Sequence, residues 1–197
     1  MPSGRWHAAS PFRTMTWPLA LLRHPPVSGG AGRCYGRLDL PLADAEQDIP
    51  PILAALASLK GAAILTSPLS RCRQVAEALA SLWAAPPPIQ DPRLMEMDFG
   101  AWEGLAWDSV PRTGLDAWAA DLAGFAPPGG ESGAALVARV SALWADVSGQ
   151  GKACVLVTHG GPLKILTALA EGRPVDLAAP ALPLGCVRIY QSLSKEA

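Results

Sequence analysis

The sequence predicts an α/β fold, a three-layer α/β/α sandwich with a mostly parallel central sheet. Short apolar runs alternate along the chain with segments of helical periodicity, and this alternation favours a parallel sheet covered by helices on both faces. Two of the apolar runs, LALL and VLV, stop just before His24 and His159. Ligands of open α/β sheets bind at the carboxyl ends of strands, so the two histidines mark the expected site.

The chain is expected to form one domain. With 197 residues it can bury one sizeable core, and it contains neither an internal repeat nor a linker. We place this domain at residues 17–197. The first sixteen residues, MPSGRWHAASPFRTMT, are polar, broken by proline and unlike a secretory signal, so we expect a flexible extension. Translation from Met15 instead of Met1 would leave the predicted fold intact.

Composition disfavours several classes of partner. The formal net charge is -1 and there is no basic cluster, which argues against binding to nucleic acid or to an anionic membrane. No apolar run reaches the roughly 18 to 20 residues of a membrane-spanning helix. The four cysteines are far apart and form no CxxC pair. We therefore expect reduced thiols and a cytoplasmic location, without a disulfide frame or a structural zinc site.

The first predicted strand covers residues 17–22. It ends at Arg23 and His24, because Pro25 and Pro26 cannot continue a central strand. A loop rich in glycine and proline follows. Residues 43–59 then show helical periodicity.

Prolines and a serine set the next boundaries. Pro50 and Pro51 are expected to break or restart the helix at residues 43–59. A strand is expected at residues 62–66. Ser67 would then cap a helix at residues 69–83, with Pro68 in its first position.

The second half of the chain continues the alternation. The best-defined segment is residues 131–147, because its apolar side chains fall on one helical face. The predicted elements are, in order, a short or edge strand at residues 88–97, a loosely patterned helix at 105–126, a helix at 131–147 capped by Glu131 or Ser132, a strand ending at His159, a helix at 162–170 and a last strand at 187–193.

Arginine and histidine side chains collect at the ends of these elements. Arg23 and His24 follow the first strand, Arg71 lies in the first turn of a helix, and His159 and Gly160 follow another strand. Guanidinium groups match phosphate oxygens, and a helix N-terminus adds N–H donors. Neutral imidazole is a good nucleophile toward phosphorus at physiological pH. The pattern therefore predicts phosphoryl transfer.

Phosphoryl transfer also requires an acid for the leaving oxygen. Glu96, within LMEMDFGAWEG, is the candidate, because it ends a short apolar run and precedes a glycine turn.

Five motifs occur in an order that is typical of one family. They are RHPPV, SPLSRCRQVAEAL, LMEMDFGAWEG, PPGGES and VLVTHGG. Together they resemble the histidine phosphatase superfamily, also called the phosphoglycerate mutase-like family, over residues 17–166. The stretch CYGRLDLPLA is similar to the corresponding part of the α-ribazole phosphatases of cobalamin synthesis.

The resemblance implies a phosphoglycerate mutase-like fold and a set of roles. His24 would be the phosphorylated nucleophile and Glu96 the proton donor, with no cofactor and no metal. Arg23, Arg71 and His159 would form the phosphate pocket.

The chain departs from this family directly after His24. The family usually has glycine there, followed by an acidic residue and threonine, where this chain has Pro25, Pro26 and Val27. The change removes a backbone N–H and a hydroxyl, donors that can each stabilise a transition state. Other groups would then complete the pocket, and the candidates are Ser28, Tyr35, Arg37, Gly160 and the N–H groups of residues 29–36. A module that binds a phosphorylated ligand without turnover is an alternative.

The expected partner is a small-molecule phosphate monoester. The residues between Gly104 and Gly130, which would cover the site, are rich in Trp, Ala and Leu and contain few basic side chains. This composition suits a bulky, partly apolar alcohol and favours a phosphatase over a mutase. We predict a metal-independent phosphatase, with α-ribazole 5'-phosphate as one substrate and a broad-specificity phosphatase or a phosphoglycerate mutase as alternatives. The oligomeric state stays open, with a homodimer among the options.

Two other chemistries compete with this interpretation. Gly30, Gly32 and Gly36 fit a loosened dinucleotide fingerprint, but prolines separate them from the preceding strand and no helix opens after them. Two imidazoles and a carboxylate, from His24, His159 and Glu96, would suit zinc. Sensitivity to a chelator would separate zinc chemistry from metal-free catalysis.

Overall fold

A computed structural model describes residues 17–191. The predicted flexible extension, the alternative start at Met15 and the last residues of the predicted final strand lie outside this range. The strands are β1 (Leu19–Arg23), β2 (Ala63–Thr66), β3 (Ile89–Gln90), β4 (Cys154–Thr158) and β5 (Val187–Tyr190). They form one sheet in the order β3-β2-β4-β1-β5, in which only β5 is antiparallel to its neighbour. The predicted mostly parallel sheet is therefore confirmed.

Helices cover both faces of the sheet. They are α1 (Ala45–Ala55), α2 (Ser70–Trp83), α3 (Arg112–Ala120), α4 (Gly133–Gln150) and α5 (Gly160–Ala170). Alternate residues of the central strands point to opposite faces. Leu22 and Val157 belong to one core with apolar residues of α1 and α2, whereas Leu21 and Leu156 belong to a second core with apolar residues of α4 and α5. This is the predicted three-layer arrangement.

The register of β1 and β4 positions the site. Arg23, the last residue of β1, pairs with Thr158, the last residue of β4. The backbone N–H of His24 donates to the Thr158 carbonyl at 3.0 Å. The two strands therefore end side by side, and the residues that follow them, His24 and His159, are neighbours.

The prolines inside α1 do not break it. Pro50 and Pro51 lie within a continuous helix, contrary to the expected interruption. Proline has no N–H, so the carbonyls of Glu46 and Gln47, one turn earlier, lose their helical partners. Glu46, Gln47 and both prolines are exposed. Because these carbonyls belong to the exposed face of the helix, water can replace the lost donors, and the helix persists.

The start of α2 differs from the predicted cap. The helix begins at Ser70, with Leu69 rather than Ser67 in the capping position. A carboxylate from a distant loop replaces the local cap, since Asp39 Oδ1 accepts hydrogen bonds from the Ser70 N–H at 2.9 Å and from its hydroxyl at 2.8 Å. The Ser67 hydroxyl accepts from the Leu69 N–H at 3.3 Å and also contacts His159, at 2.8 Å from Nε2. The side chain that the local rule assigned to capping is thus shared with a tertiary contact.

Two predicted elements are shorter because of proline. The strand expected at residues 88–97 is reduced to β3, and Pro92 then begins a 3-10 segment, Pro92–Leu94. The helix expected at residues 105–126 splits into a 3-10 segment, Trp107–Ser109, and α3. Pro111 lacks the N–H that a helix running through it would need, so α3 begins after it.

The remaining boundaries are close to expectation. Ser132 caps α4, as its hydroxyl accepts from the Ala135 N–H at 3.2 Å. The last helix starts at Gly160, two residues earlier than predicted. None of the helices between residues 17 and 191 has the length and apolar character needed to span a membrane.

Candidate active site

A cavity of about 240 Å³ opens beside the end of β1. It brings together five of the predicted site residues, and it also has three lining residues that were not among them, of which only Trp107 lies in the segment expected to cover the site. The predicted ones are Arg23, His24, Tyr35, Arg71 and Glu96, and the additional ones are Arg33, Phe99 and Trp107. The lining therefore contains three guanidinium groups, one imidazole and one carboxylate.

The ring of His24 is held in one tautomer. Its Nδ1 lies 2.6 Å from the carbonyl oxygen of Pro25. A carbonyl can only accept, so Nδ1 carries the proton and Nε2 keeps its lone pair. The Pro25 carbonyl thus orients the ring of His24.

Burial keeps His24 neutral. Burial, followed by the positive charge of Arg71, lowers the pKa of His24 from 6.5 to about 3. A neutral imidazole with a free Nε2 is the form that can attack phosphorus.

This burial predicts a pH dependence of stability. Between about pH 3 and 6.5 the unfolded chain binds a proton at His24 that the folded chain does not bind, so the free energy of unfolding rises with pH in this window. The contribution of one such histidine approaches about 1 kcal/mol per pH unit. Urea unfolding across this window should show a shallower slope for His24→Asn than for the unmodified protein. Equal slopes would show that His24 is not held neutral in the fold.

His159 lies behind His24 rather than on the cavity wall. The two rings are 5.1 Å apart between centroids, and His159 is fully buried. Arg71 Nε donates to its Nδ1 at 3.2 Å, so the remaining proton is on Nε2, which donates to the Ser67 hydroxyl at 2.8 Å. Burial, and then the charge of Arg71, lowers its pKa well below the ordinary value.

The predicted direct contact of His159 with phosphate stays a prediction. Both of its ring nitrogens already have protein partners, and its side chain is not part of the cavity lining. His159 accepts the Nε–H of Arg71, and this hydrogen bond helps to hold the guanidinium in its position.

Arg71 is a fully buried cation fixed from several sides. Its Nη1 donates to the Leu38 carbonyl at 2.9 Å and its Nη2 to the Gly36 carbonyl at 2.7 Å. The Tyr35 ring lies 5.4 Å from its Cζ, a cation–π distance. Asp39 Oδ1 also lies 4.0 Å from Nη1 and offsets part of the positive charge. The hydrogen bonds use three of the five N–H donors of the guanidinium and leave two without an acceptor within residues 17–191.

Arg23 approaches the cavity from the end of β1. Its Nη1 donates to the Leu182 carbonyl, whereas its Nε is buried and has no hydrogen-bond partner within residues 17–191. Gly160 makes room for the guanidinium, since a Cβ there would lie 3.2 Å from the Arg23 Cζ. Gly160 therefore acts in the structure by its small size next to Arg23.

Glu96 sits in a cradle of backbone N–H groups. The Gly161 N–H lies 3.1 Å from each carboxylate oxygen, and the Met97 N–H donates to Oε1 at 2.9 Å. A Cβ on Gly161 would lie 2.3 Å from Oε1. The second glycine after His159 is thus required for the position of the carboxylate.

An ion pair between Arg139 and Glu131 supports the turn that carries Glu96. Arg139 donates to the carbonyls of Arg93, Met95 and Glu96 at 2.7 to 3.0 Å and pairs with Glu131. Sequence reasoning gave Glu131 only a place at the start of a helix. The Glu131 carboxylate instead pairs with Arg139, which in turn donates to the backbone carbonyls of the turn that contains Glu96.

Two other predicted contacts lie elsewhere. The Arg37 side chain is directed to acidic groups, with Nη2 at 3.6 Å from Glu131 and Nε at 4.0 Å from Asp98, and it is not part of the cavity lining. The Ser28 N–H donates to the Pro41 carbonyl at 2.9 Å. Neither Arg37 nor Ser28 is part of the cavity lining, so the structure does not bring these two predicted groups to the pocket.

Aromatic side chains form the rim of the cavity. Trp107 stacks parallel to Trp118 with 6.2 Å between the ring centroids, and Phe99 meets Trp107 edge-on at 5.8 Å. Both Phe99 and Trp107 line the cavity. The cavity therefore has a fixed apolar part beside its charged groups, and we call this aromatic part the rim.

Between residues 17 and 191, no three His, Cys, Asp or Glu side chains are arranged to hold a metal ion. The trio of His24, His159 and Glu96 therefore has no geometric support as a zinc site.

Three comparisons connect this geometry with known proteins. The family model described as histidine phosphatase superfamily (branch 1) matches residues 19–192. A glucosyl-3-phosphoglycerate phosphatase of Mycolicibacterium vanbaalenii is 34% identical over 172 residues, which cover 80% of this chain and 76% of the relative.

Two solved structures are also similar to this chain over most of its length. The α-ribazole phosphatase of Shigella flexneri has a TM-score of 0.78 at 25% identity, over 87% of this chain and 89% of its own. YhfR of Bacillus stearothermophilus has a TM-score of 0.77 at 28% identity, over 88% of this chain and 90% of its own.

Proposed function

We propose, because this chain belongs to the histidine phosphatase superfamily (branch 1) and is a phosphatase of that family, that it hydrolyses a phosphate monoester in two steps through phosphohistidine at His24. The observation that supports this mechanism is the hydrogen bond from His24 Nδ1 to the Pro25 carbonyl. It leaves Nε2 unprotonated in a cavity that also contains Arg23 and Arg71.

In the first step, His24 Nε2 attacks phosphorus in line and the bond to the ester oxygen breaks. Arg23 and Arg71 neutralise the phosphoryl oxygens, which is the main requirement of phosphoryl transfer. Glu96, protonated at this stage, gives its proton to the leaving alkoxide. The products are the free alcohol and an N-phosphorylated His24.

In the second step, water replaces the alcohol. Glu96 is now a carboxylate and accepts a proton from the water as its oxygen attacks phosphorus. The N–P bond breaks, inorganic phosphate leaves and His24 returns to its neutral form. Glu96 ends protonated, ready for the next ester.

The leaving alcohol is the finer part of the proposal, and the aromatic rim supports a bulky, partly apolar one. α-Ribazole 5'-phosphate is one candidate, supported by CYGRLDLPLA and by likeness to the Shigella flexneri structure. Glucosyl-3-phosphoglycerate is a second, supported by the name of the relative that is 34% identical. We also place the reaction in the cytoplasm, in keeping with the buried free thiols of Cys34, Cys72 and Cys154.

The test is phosphate release with EDTA present. Substrates are α-ribazole 5'-phosphate, glucosyl-3-phosphoglycerate, 3-phosphoglycerate and p-nitrophenyl phosphate. We expect release from at least one ester, unchanged by EDTA, and one phosphoryl group per chain after alkaline quenching that is lost in acid. Formation of 2-phosphoglycerate from 3-phosphoglycerate, without phosphate release, would identify a mutase instead.

Two outcomes would contradict the proposal. Activity that disappears in EDTA would point to metal-dependent chemistry. If the folded protein bound inorganic phosphate but hydrolysed none of the esters, a ligand-binding module would be the better description, and inorganic phosphate would then raise the thermal midpoint without turnover.

A further inference from the structure

Glu103 is a carboxylate near the site that neither step of the proposed reaction uses. It is half-buried and is not part of the cavity lining. No arginine or lysine within residues 17–191 forms an ion pair with it. Its oxygens face backbone N–H groups instead: Oε1 accepts from Arg37 at 2.8 Å and from Phe99 at 3.0 Å, and Oε2 accepts from Leu38 at 3.0 Å. The negative charge is thus held by the backbone.

The loop that donates to Glu103 holds Arg71 with its carbonyl groups. The Gly36 carbonyl accepts from Arg71 Nη2 at 2.7 Å, and the Leu38 carbonyl accepts from Nη1 at 2.9 Å. The Gly36 carbonyl and the Arg37 N–H belong to the same trans peptide group, so they point in opposite directions. This peptide group therefore connects the buried Arg71 guanidinium with the Glu103 carboxylate through one hydrogen bond on each side.

This connection depends on the absence of a side chain at Gly36. A Cβ there would lie 1.8 Å from the Met97 carbonyl oxygen and 2.8 Å from Glu103 Oε1. Any other residue would push the loop away from the segment at residues 97–103. Hydrogen bonds in a row polarise one another, and they do so most where water is excluded. By accepting the N–H, Glu103 makes the carbonyl of the same peptide group a stronger acceptor for Arg71.

The other polar neighbours of Arg71 contact different atoms of its guanidinium. Asp39 Oδ1 lies 4.0 Å from Nη1, and its side chain is 47% exposed. His159 Nδ1 accepts from Nε at 3.2 Å. In the described part of the chain, Nη2 donates to the Gly36 carbonyl alone. Because the guanidinium is planar, the bond to Gly36 also sets the direction of the donors that remain free.

We propose that Glu103 is a positioning residue for Arg71: through the Gly36–Arg37 peptide group it sets the direction in which the guanidinium presents its free N–H donors to a phosphate oxyanion. The proposal rests on the proposed phosphatase function and deepens it, since it adds a residue to the recognition of the phosphoryl group. All ester substrates share this group. The effect of Glu103 should therefore be independent of the leaving alcohol.

The experiment measures the affinity for inorganic phosphate by titration calorimetry. Glu103→Gln preserves the shape of the side chain, but its amide places a donor where one backbone N–H needs an acceptor. We expect the Kd for phosphate to rise by about 3- to 30-fold, the size of a coupling within one hydrogen-bonded network. The kcat/KM values for 3-phosphoglycerate and p-nitrophenyl phosphate should fall by the same factor.

A double-mutant cycle separates positioning from general support of the fold. In the Arg71→Gln background, Glu103→Gln should change the phosphate affinity by less than about twofold, because the group that it positions is absent. Arg71→Lys takes the place of Arg71→Gln if the latter does not fold or binds no phosphate. The effect of Glu103→Gln should shrink there too, because an ammonium group has no planar fork to orient. The same loss in the unmodified and Arg71-substituted proteins would overturn the proposal.

Val147→Ala is the matched control for lost stability. Val147 is buried in the last turn of α4, and it is not part of the cavity lining. The smaller side chain should lower the thermal midpoint and leave the phosphate affinity unchanged. Equal losses of affinity in Val147→Ala and Glu103→Gln, at similar thermal midpoints, would reduce Glu103 to a general support of the fold.

Two further results would contradict the positioning role. One is an unchanged phosphate affinity in folded Glu103→Gln. The other is a loss on 3-phosphoglycerate well above that on p-nitrophenyl phosphate, which would mean that Glu103 acts on the segment of Glu96 instead. Only an unmodified protein that neither binds phosphate nor hydrolyses any of the esters would contradict the phosphatase function itself.

Discussion

Replacement of His24 by asparagine is expected to lower kcat by about 10⁴-fold or more for every phosphate ester that the protein hydrolyses. The asparagine amide can still donate toward the Pro25 carbonyl, but it offers no lone pair to phosphorus. Arg23 and Arg71 remain, so the cavity should still bind the phosphate product. The measurement is single-turnover phosphate release, followed by intact mass after an alkaline quench.

The folding of the His24→Asn variant is checked in the same experiment. Removing a buried imidazole changes packing, so its thermal midpoint and its affinity for inorganic phosphate are measured beside activity. Retained phosphate binding with no phosphoryl adduct would assign the nucleophile to His24. A phosphoryl adduct on the variant, or turnover within about tenfold of the unmodified rate, would show that another group or water attacks directly.

Part of this site could be predicted from the sequence, because several of its residues come directly after the ends of strands. An apolar run that stops at a charged residue marks both the end of a buried strand and the start of a binding edge. Two such runs placed His24 and His159 in the right region, and the register of β1 and β4 makes them neighbours. Glu96 was found by the same reasoning, from a short apolar run before a glycine turn.

The hydrogen-bond partners of these residues could not be predicted from the sequence in the same way. Ser67 follows a strand and precedes proline, which favours a capping role, yet its hydroxyl contacts His159, 92 residues away. A fully buried imidazole N–H needs an acceptor more than a helix end near solvent needs a cap. The helix received its cap from Asp39, 31 residues before it. Local rules cannot rank such competitors, because the ranking depends on burial.

The same reason explains the arginines. From the sequence, Arg71 was assigned to the phosphate pocket, Arg37 was offered as a group that completes it, and the Arg33 side chain was given no role. In the fold, Arg71 is fully buried and bound to two carbonyls, Arg37 faces Glu131, and Arg33 stays at the cavity mouth. Each arginine side chain is held in its position by a backbone carbonyl or a carboxylate that is distant in sequence.

Replacement of Glu96 by glutamine is expected to separate substrates by leaving group. An alkoxide needs a proton as it departs, so hydrolysis of 3-phosphoglycerate or another alkyl ester should fall by about 10²- to 10⁴-fold. Nitrophenolate leaves as a stable anion and needs no proton. With p-nitrophenyl phosphate, Glu96→Gln should therefore release one nitrophenolate per chain in a burst, followed by slow turnover, because the second step lacks its base. Stopped-flow absorbance measures both phases.

Gly161→Ala tests the same carboxylate without removing it. The new Cβ would lie 2.3 Å from Glu96 Oε1 and 3.2 Å from the Leu136 side chain, and the flexible end of Glu96 is the group that can move. Displacement of the carboxylate should reproduce the pattern of Glu96→Gln in a weaker form, with alkyl esters losing more than the aryl ester. Gly149→Ala is the control, since a Cβ there meets nothing within 4 Å. If Glu96→Gln slowed the alkyl and aryl esters equally and gave no burst, Glu96 would be a part of the structure and the proton would come from another group.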